Sequence, residues 1–224
     1  MDLRSPDLPA YAGDQENLDR FRAARTPFFQ LTPDPTHQVV LGCGTPVEPD
    51  VRRDNCLADG VPLVRRKGGG GAVVLGPGIL VITGCFPPVA GRFPENWLLA
   101  IASLVSSGLT AALAPTAPQP DPGPPFTFVI RGTGDICLRT AGAKEVRKVL
   151  GSSLYVARDV VLYQGSLLVS ANLSDLPRYL GTPSRQPDYR CGRSHLDFVS
   201  NLPEGWRLDL GRFAAALNLA AQSL

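Results

Sequence analysis

Lysine is nearly absent from this chain: Lys67, Lys144 and Lys148 are the only three in 224 residues. Arginine does the remaining cationic work, so each lysine is a candidate for a specific role, although a biased genome composition gives the same scarcity. Histidine is rarer still, with only His37 and His195, which leaves little material for a histidine-based metal site or triad. The five cysteines, Cys43, Cys56, Cys85, Cys137 and Cys191, are odd in number and scattered, with no C-x-x-C pair. Reduced thiols are expected, not a disulfide framework or a zinc site. No stretch approaches the roughly 18 apolar residues of a membrane span. A formal net charge of +2 is too slight to point to nucleic acid or an anionic membrane. The first residues, Met1-Asp2-Leu3-Arg4-Ser5-Pro6, lack the basic and apolar regions of a secretory signal, so the cytoplasm is the expected compartment.

What stands out is Val64-Arg65-Arg66-Lys67-Gly68-Gly69-Gly70-Gly71-Ala72-Val73. Serial glycines open conformations closed to other residues and let a ligand approach the main chain. Their amides can form a concave nest for an anion, with the flanking guanidiniums as bidentate partners. A flexible basic surface loop is the plainer alternative. This is not a Walker loop, because no Gly-Lys-Ser/Thr follows. Gly132-Thr133-Gly134 is not a dinucleotide fingerprint, since Cys137 occupies its third glycine position.

Helices are expected at Glu16 to Ala24, at Pro94 to about Leu113 (apolar stripe Trp97, Ile101, Leu104, Val105), after a Ser174 cap, and at the C-terminus with Phe213, Leu217 and Leu224 inward. Strands are expected at Val39 to Leu41, Val61 to Arg66, Ile79 to Thr83, Phe126 to Arg131, Asp135 to Arg139, Val146 to Leu150, Val160 to Tyr163 and Ser166 to Ser170. Residues 114–125 hold six prolines and read as a surface loop within one domain spanning 1–224. The class is α/β or α+β, with mixed sheets flanked by helices.

Three segments in order resemble the lipoate–protein ligases of the biotin/lipoate ligase and octanoyltransferase superfamily. Arg65-Arg66-Lys67-Gly68-Gly69-Gly70-Gly71-Ala72-Val73 is similar to the family's lipoyl-adenylate loop. Arg147-Lys148-Val149-Leu150-Gly151-Ser152-Ser153, followed by Gly165-Ser166-Leu167-Leu168, is similar to its lysine strand. Pro187 to His195, with Phe198-Val199 and Asn201-Leu202, resembles its closing segment. The resemblance implies a catalytic domain related to class II aminoacyl-tRNA synthetases. The chain is expected to lack the separate C-terminal accessory domain that some lipoate ligases carry, or to receive it from another chain. It implies ATP-dependent conversion of lipoate to lipoyl-AMP and transfer to a lysine of a lipoyl carrier protein or domain, without nucleic acid or membrane. Lys148 would stabilise the charge on the transferring phosphorus, and Arg66 would hold phosphate oxygens as a fork. Arg65, Gly69, Gly70, Gly71, Ala72, Val73, Gly151, Ser152, Ser153 and Gln164 would line the nucleotide and acyl site. Asp135 would hold magnesium through an oxygen.

Departures from the family pattern are Leu75 and Gly76 for His-Asp, Ile79 for asparagine, Gln164 for a histidine beside the lipoyl group, and Cys43 for arginine. Lys144 competes with Lys148, but the Gly-Ser pair follows Lys148 at the family interval. A thioester-forming octanoyl or lipoyl transferase is the main rival, with Cys137, or Cys191 paired with His195, as its nucleophile. A non-catalytic assembly homologue is the second. Arg193 is a candidate for contact with phosphate or the carrier. A role with the lipoate-binding proteins of sulfur oxidation is a looser extension.

Overall fold

The computed structural model describes residues 8–117 and 125–224. In chain order come α1 (Ala12–Ala24), β1 (Phe28–Pro33), β2 (Gln38–Leu41), α2 (Arg53–Ala58), β3 (Leu63–Arg65), β4 (Val73–Leu75) and β5 (Ile79–Phe86). They are followed by α3 (Pro94–Ala112), β6 (Leu113–Pro115), β7 (Phe126–Arg131), β8 (Asp135–Thr140), β9 (Arg147–Val156) and β10 (Val161–Leu168). The chain closes with α4 (Asp175–Tyr179), a 3-10 turn at Asp188–Arg190, α5 (His195–Phe198), β11 (Trp206–Leu208) and α6 (Leu210–Ala221).

Strand β5 is buried along its whole length and lies between β1 and β10 in a six-stranded sheet of order β1-β5-β10-β9-β8-β7. A central strand covered on both faces needs a continuous apolar run, and Ile79-Leu80-Val81-Ile82 supplies it. Every pairing in this sheet is antiparallel. A smaller sheet, β3-β2-β4, is mixed: β2 runs parallel to β3 and antiparallel to β4.

Two large cores cover the faces of the large sheet, and a smaller one joins Leu18 and Phe21 of α1 to Phe28, Cys85, Val160 and Leu162. One large core packs Leu80, Ile82, Phe86, Val149 and Leu150 against Trp97, Ile101, Val105 and Leu109 of α3 and Phe213 and Leu217 of α6. Here α3 begins with Pro94 at its first turn, where the missing N–H costs nothing. The other core joins Val81 and Leu168 to the small sheet and α4. The functional cavity opens on this second face.

Several elements differ from expectation. Helix α1 starts at Ala12, bringing Asp14 and Asn17 inside. The two segments Val160–Tyr163 and Ser166–Ser170 are one strand, Val161–Leu168, because Gln164-Gly165 continues the ladder instead of turning. Strand β9 runs on to Val156. The proline-rich stretch begins in a two-stranded ribbon, where Pro115 of β6 faces Trp206 of β11, an edge position that proline tolerates; residues 118–124 of that predicted loop lie outside the described residues. Ser174 hydrogen-bonds Asn172 and makes no side-chain cap. Leu104 is only partly buried, and Leu224 packs at the core margin.

Candidate active site

A β-bulge places Lys148. Ile136 pairs with Leu150, but Cys137 pairs with Lys148, so Lys148 and Val149 together oppose one residue of β8. Directly opposed residues of an antiparallel pair share a face, and a one-residue slip swaps faces. An unbroken register would set Lys148 opposite Leu138, which belongs to the helix-covered core. The bulge turns it to the face of Cys137 and Asp135 instead, the use bulges often serve beside active sites. There Lys148 Nζ forms an ion pair with Asp135 Oδ1 at 2.8 Å. The other oxygen, Asp135 Oδ2, accepts from the Tyr189 hydroxyl at 2.7 Å. Burial and the Asp135 charge push the Tyr189 phenol far above its ordinary range, so it remains a donor. Gly151 completes the arrangement by leaving space, since a Cβ there would stand 2.9 Å from Lys148 Cε and 3.0 Å from Nζ.

The glycine loop is organised by Arg66, which is 6% exposed. Its Nε donates to Ser153 Oγ at 2.9 Å, its Nη1 to Val40 O at 3.2 Å, and its Nη2 to Gly69 O at 2.7 Å and Gly71 O at 2.9 Å. The guanidinium expected to fork phosphate oxygens is therefore committed to backbone carbonyls and a serine. Burial lowers its pKa to about 10, which leaves it charged at neutral pH. Arg65 likewise donates through Nη1 to Gly42 O at 2.7 Å and Thr45 O at 2.9 Å.

Other donors take the remaining carbonyls: Cys43 N reaches Gly68 O at 2.9 Å and Thr45 Oγ1 reaches Gly70 O at 2.6 Å. The amide of Lys67 is held by Asp14 of α1, a buried carboxylate whose pKa burial raises. Gly70 adopts φ +89, a region that favours glycine, and a Cβ on Gly42 would stand 2.0 Å from Gly70 O. With the four carbonyls of Gly68 to Gly71 turned into the protein, the amides of Gly70, Gly71 and Ala72 donate to no described group. Free successive amides of this kind can receive an anion.

Both features open on one cavity of about 320 Å³. Gly70 to Val73, Lys148, Asp135, Ser152, Ser153 and Gln164 line its polar part; Val40, Val81, Leu168, Leu176, Leu180 and Val199 line an apolar part. Gln164 sits in a row with Thr83 and Ser153 across three strands, is 7% exposed, and its Oε1 has no described partner. Ser152 Oγ donates to Gly134 O at 2.9 Å, and Gly151 borders Lys148. Lys144 is exposed and away from the cavity. Leu75, which stands at a departure from the family pattern, is buried in the second core.

None of the five cysteines lines the cavity. Cys137 is fully buried, donates to the Tyr189 hydroxyl at 3.7 Å, and burial raises its thiol pKa. Cys191 is exposed and donates to Asp188 O, whereas His195 faces the cavity, so the two do not form a thiol–imidazole pair. Arg193 is spent on Glu145, Val146 O and Tyr189 O. Asp135, the residue expected to hold magnesium, pairs through Oδ1 with Lys148 and accepts through Oδ2 from Tyr189. Among the described residues no cluster of three or more His, Cys, Asp or Glu side chains could hold a metal ion. Tyr189, Asp14 and Gly42 escaped the sequence reading because each acts through a partner distant in the chain.

The profile of the lipoyl protein ligase A/B catalytic domain matches residues 10–218. The chain belongs to this family. Among solved structures it is similar to a lipoate-protein ligase A bound with ATP, with a TM-score of 0.64 and 19% identity over 91% of this chain and 74% of that one. It is similar too to an archaeal bipartite lipoate protein ligase from Thermoplasma acidophilum, solved as part of a system with its E2 lipoyl domain. There the TM-score is 0.65 at 18% identity, over 94% of this chain and 75% of that one. A T. acidophilum protein with bound lipoic acid gives 0.64 at 18% identity, covering 93% and 78%. No curated protein matches. At these identities the neighbours show that this chain has the lipoate ligase fold. No described helix is long and apolar enough to cross a membrane.

Proposed function

We propose that this chain is a lipoate–protein ligase that uses ATP to activate lipoate and then passes the lipoyl group to a carrier lysine. The observation that carries this reading is one cavity holding a set of free amides, a lysine ammonium and an apolar extension. An acyl carboxylate attacking the α-phosphorus of ATP forms a C(O)–O–P bond as the bond to the bridging oxygen breaks, and pyrophosphate leaves with that oxygen. Two anions must approach each other, so fixed positive groups have to offset their repulsion.

In this reading the amides of Gly70, Gly71 and Ala72 receive phosphate oxygens. Lys148 moves its charge from Asp135 toward the oxygens shared by carboxylate and α-phosphate, with Asp135 and Tyr189 holding it ready. Arg66 orders the loop without touching the nucleotide. The apolar lining takes the acyl chain, and Gln164 lies on its floor. Magnesium enters on the phosphates of ATP, and no step is assigned to a metal on Asp135. In the second step the acceptor lysine of a lipoyl carrier attacks the acyl carbon and AMP departs. A carrier of the sulfur-oxidation type is one acceptor to test, and the cytoplasm is the proposed compartment.

The thioester alternative has little support, because no cysteine reaches the cavity. Lipoate-dependent exchange of pyrophosphate into ATP, measured on the native chain and on Lys148→Ala, tests the proposal. Exchange that needs lipoate and disappears with the lysine supports it. Nucleotide-free transfer from an acyl carrier, abolished by substituting Cys137 or Cys191, would establish the transferase in its place.

A further inference from the structure

Arg190 is a buried cation of this cavity to which the proposed function gives no task. It is 7% exposed, lines the cavity, and stacks its guanidinium 5.0 Å from the Phe198 ring centroid. Its Nε donates to Arg193 O at 2.9 Å, but no Nη donor has a partner among the described residues and no described carboxylate pairs with it. A buried charge without a counter-ion is expensive and rarely kept unless something pairs with it.

The surroundings add positive charge. Arg185 also lines the cavity, and the Arg193 guanidinium stands 5.3 Å from the centroid of the same Phe198 ring. His195, in the same wall, has its pKa pushed down to about 4 by burial and by the charges of Arg190 and Arg52. Two acids line the cavity as well: Asp135 is neutralised by Lys148, and Asp50 accepts from Ser184 N at 2.8 Å. Adjacent Tyr189 grips Asp135, so the backbone of Arg190 is fixed beside the Lys148 pair.

We propose that Arg190 binds the phosphate oxygens of the nucleotide that lie beyond the reacting phosphorus, those that leave as pyrophosphate. A triphosphate carries roughly four negative charges near neutral pH, more than one aspartate-paired lysine can balance, and a guanidinium matches phosphate oxygens in bidentate fashion. The site rests on the ligase reading for its substrate, while its affinity for the anion is independent of it.

Equilibrium dialysis with inorganic pyrophosphate, ATP, AMP and lipoate on the native chain and on Arg190→Met provides the test. Methionine keeps an unbranched stem on Phe198 and removes the charge together with the Nε donor to Arg193 O. Loss of a charge-assisted contact weakens pyrophosphate and ATP binding by about 10- to 100-fold, with lipoate and AMP unchanged. Unchanged pyrophosphate affinity in folded Arg190→Met, or equal loss for lipoate and AMP, overturns the site. Should that variant fail to fold, crystals of the native chain with pyrophosphate decide: the anion on the Arg190 guanidinium supports it, and the anion elsewhere refutes it. Arg190-dependent pyrophosphate binding in a chain that never activates lipoate would overturn the ligase reading and leave this site standing.

Discussion

Arg66 and Lys148 stand in the two strongest motifs of the chain, and both were expected to meet the nucleotide. Arg66 is buried and bonded to Val40, Gly69, Gly71 and Ser153, while Lys148 has one ion-pair partner and opens on the cavity. Under the proposed function the arginine would act on the nucleotide through the main chain, by turning carbonyls inward and leaving amides outward, and the lysine would act with its own charge. A five-donor planar fork suits the first task and a compact ammonium on a flexible stem suits the second.

The largest effect is expected at Lys148. Lys148→Ala removes the mobile charge and should lower lipoate-dependent exchange by about 10²–10³-fold, the range for a lost transition-state donor. Its melting temperature should stay near the native value, because the side chain is not part of either core. Arg66→Met should show the opposite pattern. Stripping donors from several buried acceptors costs about 2–4 kcal/mol, read as a lower denaturation midpoint, with activity falling because the loop loosens. If Arg66→Met kept native stability and lost only turnover, the division of labour would be wrong.

Gly151→Ala sharpens the contrast from the lysine side. A methyl 2.9 Å from Lys148 Cε pushes only the flexible end of that side chain, so the fold survives and the ammonium moves. A drop of about 10-fold in kcat with unchanged melting is expected from such a displacement. Unaltered turnover would mean the ammonium does not depend on its berth over Gly151.

The smallest effect concerns His195, whose folded pKa lies near 4 against an ordinary 6.5. Between those values the folded chain binds fewer protons than the unfolded one. Stability is therefore full above about pH 6.5 and declines as the pH falls toward 4. His195→Gln should flatten that slope in denaturant titrations at a series of pH values; an unchanged slope would assign the acid sensitivity elsewhere.

The motifs were legible in the sequence because glycine runs and a scarce lysine are conspicuous. Their orientation was not. Nothing in Arg147-Lys148-Val149-Leu150 marks the bulge that rotates Lys148 out of the helix-covered core. Gln164-Gly165 falls between the two expected strands, and its pairing with Thr83-Ile82 and Ser153-Ser152 keeps β10 continuous. Strand β1 ends in Thr32-Pro33 and lacks clean alternation, as an edge strand can, while β4 and β11 have three residues each, too few for a periodic signal. The carbonyl partners of Arg66 come from a neighbouring strand and from the far side of its own loop, contacts that no local pattern encodes.

The most direct measurement is a crystal structure of the chain with a stable lipoyl-AMP analogue. The analogue's phosphate oxygens are expected within hydrogen-bond distance of the Gly71 and Ala72 amides, with the Lys148 ammonium on the same group. A phosphate seated away from those amides, with Lys148 still turned only to Asp135, would contradict it.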